Sequence, residues 1–179
     1  MFRTLQANEI DCRIGTIGEK GISLLLYKDA RCDMNILDET VGTYYWQREH
    51  KELKGNIYCG VSIWNNTMGQ WITKWDCGKE SYTEVEKGES SDSFKRACVN
   101  WGIGRELYTA PFIYISSKLA PVEKNAKGKW ELKNKLEKFS IEKIAYNEKK
   151  EIIGLSIINS AKKRVFIYSK GVKKNENNK

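Results

Sequence analysis

A single histidine, His50, among 179 residues leaves little material for imidazole acid–base chemistry. It stands between Arg48 and Lys51 in a strand-like segment with no positioned partner, so it reads as a surface residue rather than a general base. No apolar run approaches the ~20 residues of a membrane span. Met1 to Ala7 holds no signal-like apolar stretch, and a soluble, cytoplasmic protein is expected. Five cysteines (Cys12, Cys32, Cys59, Cys77, Cys98) are odd in number, widely spaced and without a Cys-x-x-Cys pair, which favours buried free thiols over disulfides or a zinc site. A Gly-x-x-x-x-Gly-Lys-Ser/Thr loop is missing, and with it any sign of an ATP motor. Gly102-Ile103-Gly104 follows a helical pattern instead of opening one, against a dinucleotide fingerprint. Asp29, Asp33, Asp38 and Glu39 do not gather at helical spacing either: the first two share a face that the others do not join, and a solvated acidic face is the expectation. No catalytic residue, metal or cofactor is expected.

What is present is apolar content and unevenly spread charge. Apolar residues make up 40% of the chain, with six tryptophans, enough for a sizeable core. The formal net charge is +8. From Ser117 to Lys179 there are 17 basic and 7 acidic residues, against 14 and 16 from Met1 to Ser116. A nucleic-acid partner fits such a balance, but any site in the first two thirds has to be a local basic patch.

Turn residues and periodicity divide the chain. Thr4 to Asn8 suggests a helical turn. Asp11–Ile17 and Gly21–Tyr27 read as strands, the second apolar enough for burial on both faces. Asp29 caps a helix with Ala30, Met34, Leu37 and Val41 at helical spacing, and Gly42 ends it. Strands over Tyr45–Leu53, Asn56–Trp64 and Gln70–Cys77 are joined by hairpin-length turns into an antiparallel meander. Thr83 and Glu86 form a capping-box start for a long helix. Along it Phe94, Ala97, Cys98 and Trp101 recur at i, i+3, i+4 and i+7, one apolar stripe. Gly102 and Gly104 follow, where a left-handed residue costs least. Ala110–Ser116 is a further strand. Lys118–Leu136 reads as a mobile linker, followed by strands Phe139–Tyr146, Glu151–Asn159 and Arg164–Ser169 and a disordered tail from Val172 to Lys179.

The long helix is the element of interest. Lys95 and Arg96 lie beside its apolar stripe, Arg105 just beyond it, and Arg31 opens the earlier helix; these cations are candidates for phosphate contacts, because single-strand binders track the backbone with fixed positive charge. Arg31 could instead pair with Asp33 or Glu39, and Arg105 with Glu106 or a core carbonyl. Arg48 and Lys51, with Lys54, suggest a second and weaker basic stripe. Tyr44, Tyr45 and Trp46 could stack on bases, though packing is the commoner role for aromatics that begin a strand.

Ser90 to Ile115 closely resembles the helix signature of the Rad-fifty-two type single-strand annealing family, above all its phage branch, the Sak-like proteins. Ile10 to Arg13, Lys20 to Tyr27, and Arg31 to Gly42 with Tyr44-Tyr45-Trp46 match its opening segments in order, so the resemblance covers about residues 9 to 116. It departs at Glu84, Glu86 and Glu89, where eukaryotic members are more basic. The resemblance implies an α+β fold: a curved antiparallel β-sheet crossed by one long helix, with a C-terminal β-rich appendage. It implies an annealing core over 1–116, a basic linker and small β-rich segment over 117–171, and a tail over 172–179. By the same resemblance Lys95, Arg96 and Arg31 line an inner groove for single-stranded DNA, and copies assemble head-to-tail into a ring or helical filament. The implied function is ATP-independent annealing in phage recombination and double-strand break repair, with a host single-strand-binding protein as a possible partner and a passive single-strand binder as the alternative.

Overall fold

The computed structural model describes residues 1–78 and 85–171, without the side chains of 85–87. Its first elements are β1 (Asp11–Gly18), β2 (Gly21–Tyr27), α1 (Ala30–Val41), β3 (Trp46–Leu53), β4 (Asn56–Asn65), β5 (Gln70–Cys77) and α2 (Val85–Trp101). There follow β6 (Ile113–Ser116), β7 (Val122–Lys124), β8 (Trp130–Leu132), β9 (Phe139–Tyr146), β10 (Ile152–Asn159) and β11 (Arg164–Ser169). Short 3-10 turns lie at Ala7–Glu9, slightly later than the turn expected at Thr4 to Asn8, and at Arg105–Thr109. The fold is α+β with antiparallel pairing throughout. Contacts group the chain into two units: Met1–Leu5 with Lys28–Arg105, and Gln6–Tyr27 with Glu106 onwards. The Thr83 and Glu86 capping box and the tail from Val172 lie outside what is described.

In the first unit, α1 begins as its sequence requires. The Asp29 carboxylate accepts the Cys32 N–H at 2.9 Å, and Gly42, at φ 89°, donates to the Asp38 carbonyl at 3.1 Å. The cap bond from Cys32, helped by the Arg31 guanidinium, holds the Asp29 carboxyl below its usual range. The buried face of α1 is Cys32, Asp33, Ile36 and Leu37, one position round from the stripe read from Ala30, Met34, Leu37 and Val41. That rotation overturns the solvated reading of Asp33. Its carboxylate is wholly buried and paired with the almost wholly buried Lys28 ammonium. Burial pushes the Asp33 carboxyl up to about 6, and Lys28 opposes that shift.

The three strands β3, β4 and β5 form a separate meander in that order. Lys54 and Gly55 turn the first hairpin with φ of 55° and 76°, the pair of positive values that a tight two-residue hairpin needs. Cys59, Val61 and Ile63 alternate on the face of β4 that is covered by α2.

The second unit holds the curved sheet, with strand order β11-β10-β9-β1-β2-β6. β6 comes back close to β11, so the sheet curls towards closure around Ile22, Leu24, Ile113, Ile115, Ile141, Ile152, Leu155 and Ile157. The long helix α2 packs on the β3-β4-β5 meander, the sheet that its apolar stripe was expected to cover, while the six-stranded sheet is a separate one. The strands expected as a C-terminal appendage are part of that sheet, β9 joining β1 at Asp11 and Ser140. β2 is buried from Gly21 to Leu24 only; Leu25 is exposed, so the strand is not covered on both faces. The expected linker contains a short hairpin, β7 and β8, turned by Asn125 to Lys129.

Two expectations follow. Lys28→Met leaves a buried carboxylate without its partner and should cost about 3–5 kcal/mol of stability, much of it recovered in Lys28→Met/Asp33→Leu; urea unfolding of the three proteins checks this, and equal stabilities would contradict it. In the curved sheet, Arg164 grips Glu142 with two bonds of 2.6 Å and Ser156 adds a third, holding the Glu142 carboxyl down at about 2. A depressed carboxylate stabilises above its unfolded value and loses that contribution as pH falls through the folded one. The stability gap between wild type and Glu142→Gln should therefore narrow between pH ~4.5 and ~2; a gap independent of pH would contradict it.

Candidate nucleic-acid interface

Lys95 and Arg96 owe their positions to the residues beside them. Phe94, Ala97 and Cys98 are wholly buried, and Trp101 donates its indole N–H to the Val61 carbonyl at 2.9 Å. Full burial of a ring such as Phe94 contributes about 2–3 kcal/mol. From β3, Trp46 stacks on Phe94 with centroids 6.2 Å apart, and the Arg48 guanidinium lies 4.8 Å from the same ring. His50 reaches the Ser90 carbonyl and hydroxyl, both at 3.2 Å. The even positions of β3 thus grip one side of α2, and they fix the rotation of the helix.

With the stripe pinned, Lys95 and Arg96 project about 100° apart at its margin, both half-buried. Arg96 is bonded to Asp92 one turn earlier at 2.9 Å. The charge of Lys95 reaches Asp33 of α1, where it slightly opposes the upward shift of that carboxyl. Arg31 sits in the first turn of α1 with its side chain 83% exposed, paired with Asp29 at 3.1 Å. The two helices touch. Arg31, Lys95, Arg96 and Arg48 therefore belong to one assembly of α1, α2 and β3.

The other candidates are placed differently. Lys51, three residues from Arg48, points from the opposite face of the sheet, 3.3 Å from Glu49 and 4.8 Å from the Trp75 ring. Arg48 and Lys51 thus do not form the basic stripe expected of them, because alternation puts odd and even positions on different faces. Arg105 caps α2. Its guanidinium donates to the Val99 carbonyl at 3.1 and 2.8 Å and to the Asn100 carbonyl at 3.0 Å, next to a helix end closed by bonds from Gly102 to Val99 and from Ile103 to Cys98. Backbone carbonyls at the end of α2 hold it, and not Glu106. Lys74 shares this work, donating to Asn100 at 2.9 Å above the Trp101 ring. Of the aromatic run only Trp46 packs; Tyr44 is 91% exposed and Tyr45 half exposed.

Sequence reasoning missed Lys28. Its only local signal is its place between a buried strand and a helix cap. The structure ties it to Asp33 and lays its stem against Gly104, where a Cβ would come within 2.1 Å of Lys28 Cε. Gly104, at φ 70°, is therefore needed both for its backbone and for its lack of a side chain. Glu89, one of the acidic departures from the resembling family, is 4% exposed and accepts the Ile57 N–H at 2.7 Å, so it holds α2 to β4. Among the described residues no three His, Cys, Asp or Glu side chains gather as a metal site would require.

The family model described as Rad52/22 family double-strand break repair protein matches residues 2–126. The chain belongs to this Rad52/22 family. The match takes in α1, the β3-β4-β5 meander and α2 whole, so the assembly bearing Arg31, Arg48, Lys95 and Arg96 is the Rad52/22 part of the molecule; β9, β10 and β11 lie beyond it. No curated protein and no solved structure matches the chain.

Because the Arg96 pair with Asp92 is partly exposed and spans one helical turn, Lys95→Ala/Arg96→Ala should change stability by no more than about 0.5–1 kcal/mol. A urea midpoint close to that of wild type is expected; a large loss would mean that the two cations hold the Rad52/22 core together.

Proposed function

We propose that this chain anneals complementary strands of single-stranded DNA without ATP, as a bacteriophage recombination protein acting in the host cytoplasm and not as an enzyme. The supporting observation is the assembly in which buried Phe94 and partly buried Trp101 fix α2, with Lys95 and Arg96 at the margin of its stripe and Arg31 in the first turn of the neighbouring α1. Fixed cations on adjoining elements suit a phosphate backbone. Lys95 and Arg96 hold one strand, Arg31 extends the track, and Arg48 adds positive field while it packs on Phe94. Since these contacts read no base edges, the bases stay available for pairing with a second strand. Exposed Tyr44 offers a ring for stacking at the entry to β3.

In this reading copies assemble head-to-tail into a ring or helical filament, a heterologous contact that either closes or propagates and makes the groove continuous. Host single-strand-binding protein is a partner that would present the strands. Arg105 and Lys51 contribute less directly, Arg105 by closing the end of α2 and Lys51 from the other face of the meander.

Fluorescence-monitored annealing of two complementary oligonucleotides without ATP tests the reading. Wild type should accelerate pairing, and Lys95→Ala/Arg96→Ala, with folding and assembly matched, should lose about tenfold or more of that acceleration, given two backbone contacts removed on every copy. Binding without acceleration by wild type would leave a passive single-strand binder in place of an annealer.

A further inference from the structure

Three non-glycine residues among those described have a positive φ, and all three are lysines at hairpin tips: Lys54 at 55°, Lys150 at 61° and Lys162 at 59°. Glycine or asparagine adopts that conformation with least strain, so a lysine there carries a backbone cost that its charge or its reach must justify. Lys150 and Lys162 occupy equivalent places in two turns of one design. In each, an asparagine (Asn147 or Asn159) is paired through backbone bonds with the residue four positions on, and its side chain accepts that residue's N–H at 2.9 Å. The β7–β8 turn repeats the design from Asn125 to Lys129, and there the same position holds Gly128 at φ 74°. One turn of three thus uses the relaxed residue, while the other two carry a cation.

These turns cap opposite ends of β10, whose eight residues span about 26 Å. Lys149 is exposed beside Lys150, Lys163 is exposed beside Lys162, and Lys143 is exposed on neighbouring β9 between the two ends. Lys138 joins the Lys162 end, since its N–H bonds to Ser160 in that turn. The segment beyond the family match, 127 to 171, has 12 basic and 5 acidic residues, and the hairpin pair itself, Phe139 to Ser169, has 6 basic and 3 acidic. No such excess exists from Met1 to Ser116, which carries 14 basic and 16 acidic residues.

We propose that the β9–β10–β11 hairpin pair is a second nucleic-acid surface, binding the phosphodiester backbone through Lys143, Lys150, Lys162 and Lys163, in addition to the α1–α2 assembly. Lysine tips recognise phosphate as point charges and read no base, so single strands and duplex share the chemistry this surface takes. The span between the turns exceeds several phosphate spacings, which suits a polymer better than a single anion. The surface stands on its own charge and geometry, whatever the α2 site does.

The backbone strain gives a test that separates folding from binding. Lys150→Asn/Lys162→Asn removes two cations and relieves both turns, while Lys150→Arg/Lys162→Arg keeps charge and strain. Fluorescence anisotropy with a labelled oligothymidine strand, and separately with a mixed-sequence duplex, reads the affinity; a melting curve reads stability. The asparagine variant should melt no lower than wild type yet bind about tenfold more weakly at low salt, and the arginine variant should bind like wild type. A loss on one probe alone identifies the form of nucleic acid the surface takes. Wild-type affinity of the asparagine variant for both probes overturns the proposal, as does a loss confined to a labelled oligoglutamate peptide. Lys95→Ala/Arg96→Ala, measured alongside, reports on the α2 site separately, so the failure of either reading is distinguishable.

Discussion

Phe94 is the residue on which the first unit is arranged. It has no exposed surface, it is stacked by Trp46, and it is covered by the Arg48 guanidinium. Because a helix can bury only one stripe, committing Phe94, Ala97 and Cys98 to the meander decides where every other side chain of α2 must point. Lys95 and Arg96 stand at the margin for that reason alone. The same constraint draws Glu89 into contact with β4 and brings Trp101 to the Val61 carbonyl. In the proposed reading function is a by-product of packing: cations immediately adjacent to a buried ring need no dedicated scaffold to be held still.

A second constraint sits at the other side of α2. Lys28 and Asp33 form a buried ion pair, and such pairs seldom add net stability over apolar residues, while breaking one is expensive. What the pair supplies here is placement. Lys28 immediately precedes the helix cap Asp29, and its stem fits against the missing side chain of Gly104, so the start of α1 is held to the segment that ends α2. Arg31, in the first turn of α1, inherits a defined position from this arrangement. Charge inside the unit orients the charge on its surface.

Much of this was legible from the residues, and the failures have physical causes. The N-cap at Asp29, the stop at Gly42 and the hairpin at Lys54-Gly55 are local chemistry, and each lies where its residues indicate. The stripe of α2 was readable because four apolar residues agree on one face. On α1 the apolar residues were too few to fix the rotation, and an acid was assigned to solvent because its partner, Lys28, belongs to no helical pattern. Sheet membership was out of reach for the same reason. Periodicity shows that Asp11–Ile17 and Phe139–Tyr146 are strands, but their pairing is in register at one residue pair, Asp11 and Ser140, far apart in sequence. Arg48 and Lys51 were grouped by proximity along the chain, whereas a strand sorts them by parity.

The central claim is that α1 and α2 hold a phosphate backbone, and its most direct test is the salt dependence of equilibrium binding to single-stranded DNA. Each phosphate neutralised contributes about 0.7 to the slope of log affinity against log salt. The account predicts that Lys95→Ala/Arg96→Ala lowers that slope by about 1.4 per copy engaged while the protein remains folded. An unchanged slope, with wild type showing strong salt dependence, would contradict it and move the backbone contacts away from α2.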